Sequence, residues 1–521
     1  MPSVVAIALG GFTAAYLFLR FILHLTQDAR EPPAILTSLP FFAPLVGIIR
    51  EKSGFHVRLR DTYGLPIYTL RLPFSRMYIV NATELIPALQ KQWRHVSFAA
   101  LSANAGFTVG LSKEGNELLR RDLTSEHGFS PSWPKYIMSA MGPGKDLDSI
   151  NRRSVEVFAQ DMETLRANGA PIKIGLWEWA RETMIKSTTE AVWGPQNPYR
   201  DAAVAQAWKT FETGFLTLSI FPLASIFFPK LYKARELAAA AMIDYVRKGG
   251  YKTASGLVRK RYEHHVEQWG LSLDDFARGE LGNTFAVLGN STPCALWLLF
   301  HIFSDEQVLT DVRSEIHAMV KVREEDGMNY IDLATIRTSC PVLLSTFQET
   351  LRFRAINSGP RVVLEDVLLD DRILLKKGSM LMVPAKVQHT DTSAWGNDAN
   401  QFDHMRFVHR PGQKRPNRVA FRAFGGGHEL CPGRHFASTE IMALAALLVL
   451  QFDVVPTCNG GKWVEPTCNN SPVQVGFPFP DKDIDVELRP RDPSIKWQVT
   501  FTGSEEAMGI VSEDVDLSTE Q

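Results

Sequence analysis

The sequence has little of several features that mark other classes of protein. Its five cysteines are odd in number and scattered, and no CxxC pair occurs, so neither a disulfide framework nor a zinc site is indicated. A net charge of −1 over 521 residues argues against a nucleic-acid partner. No Gly/Ser-rich linker interrupts residues 50–500, and no dinucleotide-binding or flavin fingerprint is present. We therefore expect one large globular unit that carries no nicotinamide or flavin domain.

An apolar run lies at the N-terminus. Val4–Leu19 is uncharged, and apolar residues continue past Arg20 to Leu25. As a helix this segment reaches about 33 Å, enough for a bilayer core of about 30 Å. No basic residue precedes the run, whereas Arg20 and Arg30 lie on its C-terminal side, which predicts a single-pass anchor with the main body in the cytosol. A cleaved signal peptide is the alternative, although a basic n-region and a small-residue cleavage site are missing.

The rest of the chain divides by composition. After an anchor at residues 1–27, residues 28–50 form a proline-rich linker that is expected to be stiff. Residues 51–502 have the composition of a globular enzyme and form the predicted catalytic domain. Residues 503–521 are rich in acidic side chains and are predicted to be disordered.

The periodicity of the main domain predicts a mainly α-helical fold with small β-sheets. Ile67–Leu72 and Met77–Val80 are β-rich on either side of a turn, which predicts a small N-terminal sheet. Helical patterns dominate residues 150–320, for example Trp177–Val192 and Glu236–Tyr262. Strand patterns return at Asp371–Val383 and after residue 452.

One cysteine lies in a glycine-rich loop ahead of a predicted helix, surroundings that suit a thiolate. Phe424 is followed by three glycines, then by Cys431 and a further glycine ahead of Arg434. Glycines permit positive φ and close approach of the backbone to a flat group. Backbone N–H groups of such a loop hydrogen-bond the sulfur. The apolar run Ile441–Leu450 predicts a helix, whose N-terminus favours a thiolate. The alternative is a buried free cysteine.

Two more motifs precede this loop in a fixed order. Glu349 and Arg352 form an E-x-x-R motif, and Arg406 begins an Arg-Phe pair further on. Together with F-x-x-G-x-x-x-C-x-G, this order resembles the cytochrome P450 superfamily of haem-thiolate enzymes over roughly residues 30–500. The resemblance implies the P450 fold, haem b (iron protoporphyrin IX) with Cys431 as axial ligand, and a buried triad of Glu349, Arg352 and Arg406. Loss of one triad member would leave a buried charge uncompensated.

The resemblance also implies cofactor contacts. The loop residues that it places against the haem are Phe424, Gly427 and Gly433. Arg361, which opens a strand-like run, matches the family's arginine on a haem propionate. The loop departs from the family at Glu429, where an Arg or His is usual. This departure matters because an acid binds a propionate only when protonated. His428 could take the place of this Arg or His as the propionate partner, and the alternative is that His428 is a surface histidine. One propionate partner therefore stays unassigned.

A long apolar segment, Gly282–Phe303, resembles the helix that crosses the distal haem face. Pro293 cannot donate a backbone hydrogen bond, which predicts that the helix opens by kinking or bulging. The pattern Gly-Asn-x-x-Pro-x-x-x-Trp, ending at Trp297, resembles the branch with sterol 7α- and 12α-hydroxylases and prostacyclin synthase, in which an Asn replaces the usual Thr near the iron. Asn290 is therefore the first distal catalytic candidate and Thr292 the second. Local back-bonding by these polar side chains is the simpler alternative.

A basic stretch without acidic residues precedes the cysteine loop. Its members are Arg410, Lys414, Arg415, Arg418 and Arg422. Such a patch on the proximal side would steer an acidic redox partner, which the resemblance identifies as NADPH-cytochrome P450 reductase. A solvated basic loop without a partner is the alternative.

These observations predict a membrane-anchored monooxygenase of the endoplasmic reticulum that inserts oxygen from O2 into a lipophilic small molecule. The N-terminus, tail and loops resemble those of enzymes of fungal secondary metabolism, whose substrates are terpenoids, sterols, polyketides or alkaloids. One alternative is a haem-thiolate isomerase or dehydratase of the prostacyclin synthase type, which needs neither O2 nor a reductase. A haem sensor without turnover is a third class.

Overall fold

The computed structural model describes residues 4–167, 169–221, 223–325, 327–409 and 416–503. Most of the described chain is helical. The α-helices are α1 Val4–Thr26, α2 Ala43–Glu51, α3 Ser53–Tyr63, α4 Leu85–Lys91, α5 Phe98–Val109, α6 Lys113–Leu119, α7 Phe129–Met141, α8 Lys145–Ala167, α9 Leu176–Trp193, α10 Ala202–Thr213, α11 Phe215–Ile220, α12 Ala224–Phe227, α13 Pro229–Arg247, α14 Gly256–Tyr262, α15 Leu273–Leu288, α16 Ser291–Phe303, α17 Glu306–Ala318, α18 Ile336–Ser339, α19 Pro341–Arg354, α20 Ala385–His389, α21 Thr392–Trp395 and α22 Arg434–Gln451. The predicted mainly α-helical class is confirmed.

The strands are short and form small sheets. They are β1 Ile67–Leu72, β2 Ser75–Val80, β3 Val96–Ser97, β4 Ile172–Gly175, β5 Lys321–Val322, β6 Asn329–Asp332, β7 Arg361–Val363, β8 Val367–Leu369, β9 Ile373–Leu375, β10 Met380–Met382, β11 Phe452–Pro456, β12 Asp485–Pro490 and β13 Trp497–Thr500. The largest sheet has the order β1-β2-β10-β7-β3, in which the predicted N-terminal hairpin β1–β2 is joined by β10 to the strand that opens at Arg361. Three smaller sheets are β11-β12-β4, β13-β6-β5 and β8-β9.

The core is built around two apolar helices. Every residue of α16 is buried, and α22 is buried almost without interruption from His435 to Gln451. These helices pack against each other, and α8, α9, α17 and α19 supply many of the other large core side chains around them. The cysteine loop therefore leads directly into one of the two most buried helices of the fold.

Two expected helices are interrupted. The helix predicted over Glu236–Tyr262 is wrong in its length, because α13 ends at Arg247 and Gly249 takes a left-handed φ of 80° before α14 begins. The apolar segment Gly282–Phe303 divides into α15 and α16 at Gly289 and Asn290, as Pro293 predicts.

Two stretches of the described chain are long and apolar enough to cross a membrane. The first, Leu9–Thr26 within α1, has a mean hydropathy of 1.3 and is only 6% buried. The second, Leu273–Phe303, comprises α15 and α16 and is 78% buried, so it is a core segment of the fold. Both segments pass by length and composition, so it is the difference in burial that singles out α1 as the candidate span.

Candidate functional site

The loop before α22 encloses the sulfur of Cys431. The Cys431 backbone N–H donates to the Phe424 carbonyl at 2.8 Å, which closes the loop. Gly425 and Gly427 take positive φ values of 75° and 60°. A Cβ at Gly425 would lie 2.8 Å from the Glu429 carbonyl oxygen, so this turn requires glycine.

The position of the sulfur fits a thiolate ligand. Burial raises the pKa of the Cys431 thiol, while the backbone N–H groups of Gly433 and Arg434 hydrogen-bond the sulfur and oppose that rise. Cys431 lies at the N-terminus of α22, and a Cβ on Gly433 would come within 3.9 Å of its Sγ. Cys431 as a residue is half-buried. A metal cation bound to its sulfur would convert the thiol into a thiolate.

Arg361 and Glu429 form a buried ion pair beside this loop. The Arg361 side chain is only 7% exposed, and its Nη2 contacts the Glu429 carboxylate while its Nη1 donates to the Gly359 carbonyl at 2.8 Å. The other carboxylate oxygen accepts the backbone N–H of Phe98 at 3.0 Å, at the start of α5. Burial raises the pKa of Glu429, and the adjacent Arg361 opposes that rise. The acidic residue that departs from the family pattern therefore contacts the arginine predicted for a propionate.

His428 lies on the surface. Its ring is exposed and stacks on Trp93, with ring centroids 4.6 Å apart. Partial burial lowers the pKa of His428, and the positive charge of Arg94 lowers it further. The position of His428 therefore agrees with the alternative that it is a surface histidine.

Glu349, Arg352 and Arg406 form one buried cluster. Arg352 donates two hydrogen bonds to the Glu349 carboxylate, at 2.7 and 2.6 Å, and Arg406 Nε contacts both oxygens at 3.1 and 3.2 Å. The Asp403 backbone N–H adds a fifth contact at 3.0 Å. Arg352 also donates to the carbonyls of His389, Ala399 and Gln401. The cluster thus fastens α19 to the segment that leads to the cysteine loop.

The three polar residues at the break between α15 and α16 have different environments. Asn290 is exposed beside buried neighbours, and its Oδ1 accepts the backbone N–H of Gly476 at 2.7 Å. Ser291 Oγ donates to the Val287 carbonyl at 2.7 Å, which is the back-bonding expected for such a residue. Thr292 is buried, and no hydrogen bond of its hydroxyl is found within the described chain. Of the two hydroxyls, that of Ser291 is held by a backbone carbonyl, whereas that of Thr292 has no hydrogen-bond partner within the described chain.

The basic stretch is only partly described. Arg410, Lys414 and Arg415 lie outside the described residues. Arg418 is exposed, whereas Arg422 is only 3% exposed. The prediction that Arg422 belongs to a surface patch is wrong, because its backbone N–H donates to His389 Nε2 at 2.8 Å and this part of the loop folds inward.

A buried carboxyl on α22 was not anticipated. Glu440 Oε1 accepts hydrogen bonds from Ser154, Ser187 and Thr188 at 2.6 to 3.1 Å, while no partner of Oε2 is found among the described residues. Burial raises the pKa of Glu440 to about 7, although the three hydroxyls oppose that rise. The sequence signal was present, since this one acidic residue lies directly before the apolar run Ile441–Leu450.

Comparison with known proteins agrees with this geometry. The chain matches the cytochrome P450 family over residues 255–480. It is 32% identical over 489 residues to the cytochrome P450 monooxygenase nodJ of Hypoxylon pulicicidum, covering 91% of this chain and 93% of that protein. Prostacyclin synthase of Bos taurus is 24% identical over 465 residues, with 82% and 88% covered. The solved structure of a retinoic acid-bound cyanobacterial CYP120A1 has a TM-score of 0.68 at 18% identity, covering 89% of this chain and 100% of that one. The chain therefore belongs to the cytochrome P450 family, as a haem-thiolate monooxygenase with fungal monooxygenases and prostacyclin synthase among its relatives.

Proposed function

We propose that the protein is a membrane-anchored monooxygenase of the endoplasmic reticulum that inserts oxygen from O2 into a lipophilic terpenoid, sterol, polyketide or alkaloid of fungal secondary metabolism. The observation that carries this proposal is the Cys431 sulfur, which accepts hydrogen bonds from two backbone N–H groups at the start of α22. Haem b held by such a thiolate supplies the activation of O2 for insertion into a C–H bond. NADPH-cytochrome P450 reductase is the proposed electron source.

Several residues are assigned roles around the proposed cofactor. Cys431 is the axial ligand, and Arg361 is the propionate partner. The residues that shape the loop against the haem are Phe424, Gly427 and Gly433. The triad of Glu349, Arg352 and Arg406 is assigned a purely structural role, because its carboxylate is fully occupied by protein donors.

The distal proton donor is assigned to Thr292 Oγ1. General acid catalysis requires a proton on an atom within hydrogen-bond reach of the reacting group, and a hydroxyl without a fixed partner can reorient to supply it. Asn290 is assigned the neighbouring role of binding substrate or water through its exposed amide, because its oxygen is held by Gly476. Thr292→Ala should therefore raise peroxide formed per NADPH consumed while substrate still binds, and Asn290→Ala should have the smaller effect on this ratio.

The proposed membrane attachment rests on α1 together with exposed apolar side chains of the catalytic domain. These include Leu45, Val46 and Ile49 on α2, Phe74 at the β1–β2 turn, and Ile220, Leu223, Ile226 and Phe227 around α11 and α12. Arg71 and Arg76 donate to the carbonyl of Thr26 at 3.1 and 2.7 Å, which connects the end of α1 to the β1–β2 hairpin. A lipophilic substrate would enter such an enzyme from the bilayer, for which these apolar surfaces are suited.

The domain organisation is proposed on the same grounds. Residues 1–27 form the anchor and residues 51–502 the catalytic domain. The proposed linker, residues 28–50, is hydrogen-bonded to β1: the Thr69 N–H donates to the Pro33 carbonyl at 2.9 Å, and the Ile35 N–H donates to the Thr69 carbonyl at 3.0 Å. The linker therefore carries contacts that would orient the domain on the membrane. The acidic tail at 503–521 lies, apart from its first residue, outside the described chain.

The proposed function is tested first by spectroscopy. The reduced carbon-monoxide complex should show the red-shifted Soret band of a thiolate-ligated haem. Cys431→Ser should abolish this band, and the matched control Cys468→Ser should keep it. Retention of the band in Cys431→Ser would refute the assignment of the ligand.

Turnover provides the second test. Product should require NADPH, reductase and O2, and isotopic label from O2 should appear in the product. Conversion without O2 and without reductase would instead establish an isomerase, the alternative that the prostacyclin synthase relative keeps in view.

A further inference from the structure

The ion pair of Arg361 and Glu429 leaves most of the guanidinium unused. A guanidinium presents five N–H donors in a planar fork. Within the described chain, Arg361 uses one nitrogen for Glu429 and one for the Gly359 carbonyl. Because both contacts fix the orientation of the side chain, the remaining donors are available to a second carboxylate. Arg361 is buried, so an additional anionic partner would be stabilised strongly there.

Glu429 is held in place independently of Arg361. Its second oxygen accepts the Phe98 N–H at the N-terminus of the 12-residue helix α5, where a negative charge is favoured. Arg422, which is also buried, adds a further positive charge nearby. An arriving carboxylate would therefore join Glu429 at Arg361, since the loop and α5 keep Glu429 from moving away.

We propose that Glu429 shares the Arg361 guanidinium with a haem propionate, and that its negative charge holds the haem reduction potential below the value that a neutral side chain would give. This inference rests on the proposed function, because it requires haem on Cys431. Glu429 acts as a positioning residue: it neutralises part of the Arg361 charge, so the propionate keeps more of its own negative charge. Negative charge beside the cofactor in a medium of low dielectric favours the more positive, ferric form.

The test compares Glu429→Gln with wild type by anaerobic reductive titration, which gives the midpoint potential, and by transfer of ferric haem to apomyoglobin. The amide can still accept the Phe98 N–H but carries no charge. We expect a positive shift of the potential and a several-fold slower loss of haem, because Arg361 then serves the propionate alone. Glu51→Gln, which removes a carboxylate from an exposed pair with Arg58, should change neither quantity.

Equal potentials and equal rates of haem loss in Glu429→Gln and wild type, with the thiolate band present in both, would overturn the inference and leave the proposed function standing. If Glu429→Gln fails to take up haem, Arg361→Lys provides the second test. A lysine is a point charge that cannot bridge two carboxylates as a planar fork does, so haem loss should be several-fold faster than in wild type. Unchanged haem loss in Arg361→Lys would overturn the inference. Wild-type protein without the thiolate band would overturn the proposed function itself.

Discussion

Removing the Glu349 carboxylate is expected to be among the most damaging single changes in this fold. The carboxylate is fully buried and accepts five hydrogen bonds, four of them from Arg352 and Arg406. In Glu349→Ala, Arg406 keeps Asp398 at 3.0 Å, but Arg352 retains only backbone carbonyls as partners. One buried guanidinium is then uncompensated, which costs about 3–5 kcal/mol. That is a large part of the roughly 5–15 kcal/mol by which proteins are stable.

The assay is urea unfolding followed by circular dichroism and by loss of the thiolate band, with the free energy of unfolding obtained by linear extrapolation. The matched control is Glu51→Ala, because Glu51 makes the same two-pronged contact with Arg58, at 2.7 Å for both bonds, in an exposed position. Exposed pairs contribute less than about 1 kcal/mol, so the control should be nearly neutral. The reasoning about the triad is refuted if Glu349→Ala takes up full haem and loses no more stability than the control.

Two further changes test the buried carboxyl of α22 and the anchor. Burial raises the pKa of Glu440 to about 7, so between its usual value of 4.5 and 7 the unfolded chain releases a proton that the folded protein keeps, and stability falls as the pH rises. Glu440→Gln should flatten this fall, measured as urea midpoints at pH 5 and pH 8; an unchanged slope would contradict the role of burial. Deletion of residues 1–27 should release much of the protein from microsomes with the thiolate band intact, and undiminished membrane binding would argue against the anchor. Asn469 is an exposed glycosylation sequon, and a glycan there in the native host would contradict the cytosolic orientation.

The parts of the site that the sequence predicts are those in which a few neighbouring residues determine the backbone. Gly425 and Gly427 take positive φ because the loop turns sharply before Cys431, and α22 begins at Arg434 directly after it. Pro293 interrupts the segment Gly282–Phe303 because proline lacks the N–H that a helix requires, whatever the surrounding fold. Glu349 and Arg352 are one helical turn apart, so their contact is also local.

The contacts that the sequence does not predict join segments that only tertiary packing brings together. A glutamate at position 429 indicates that a cationic partner is needed, but the sequence does not say which residue supplies it. The pairing with Arg361 depends on how β7 lies beside the cysteine loop. The inward turn of Arg422 has the same origin, because its partner His389 belongs to another segment, α20. The sequence predicts that Asn290 lies at the break in the helix. It does not predict the orientation of the side chain, which is set by a hydrogen bond from the backbone N–H of Gly476. Chemical identity therefore specifies what each side chain needs, and long-range packing selects which of several suitable partners it finds. At the break between α15 and α16, packing selects the Gly476 N–H as the partner of Asn290, whereas no hydrogen bond of the Thr292 hydroxyl is found within the described chain.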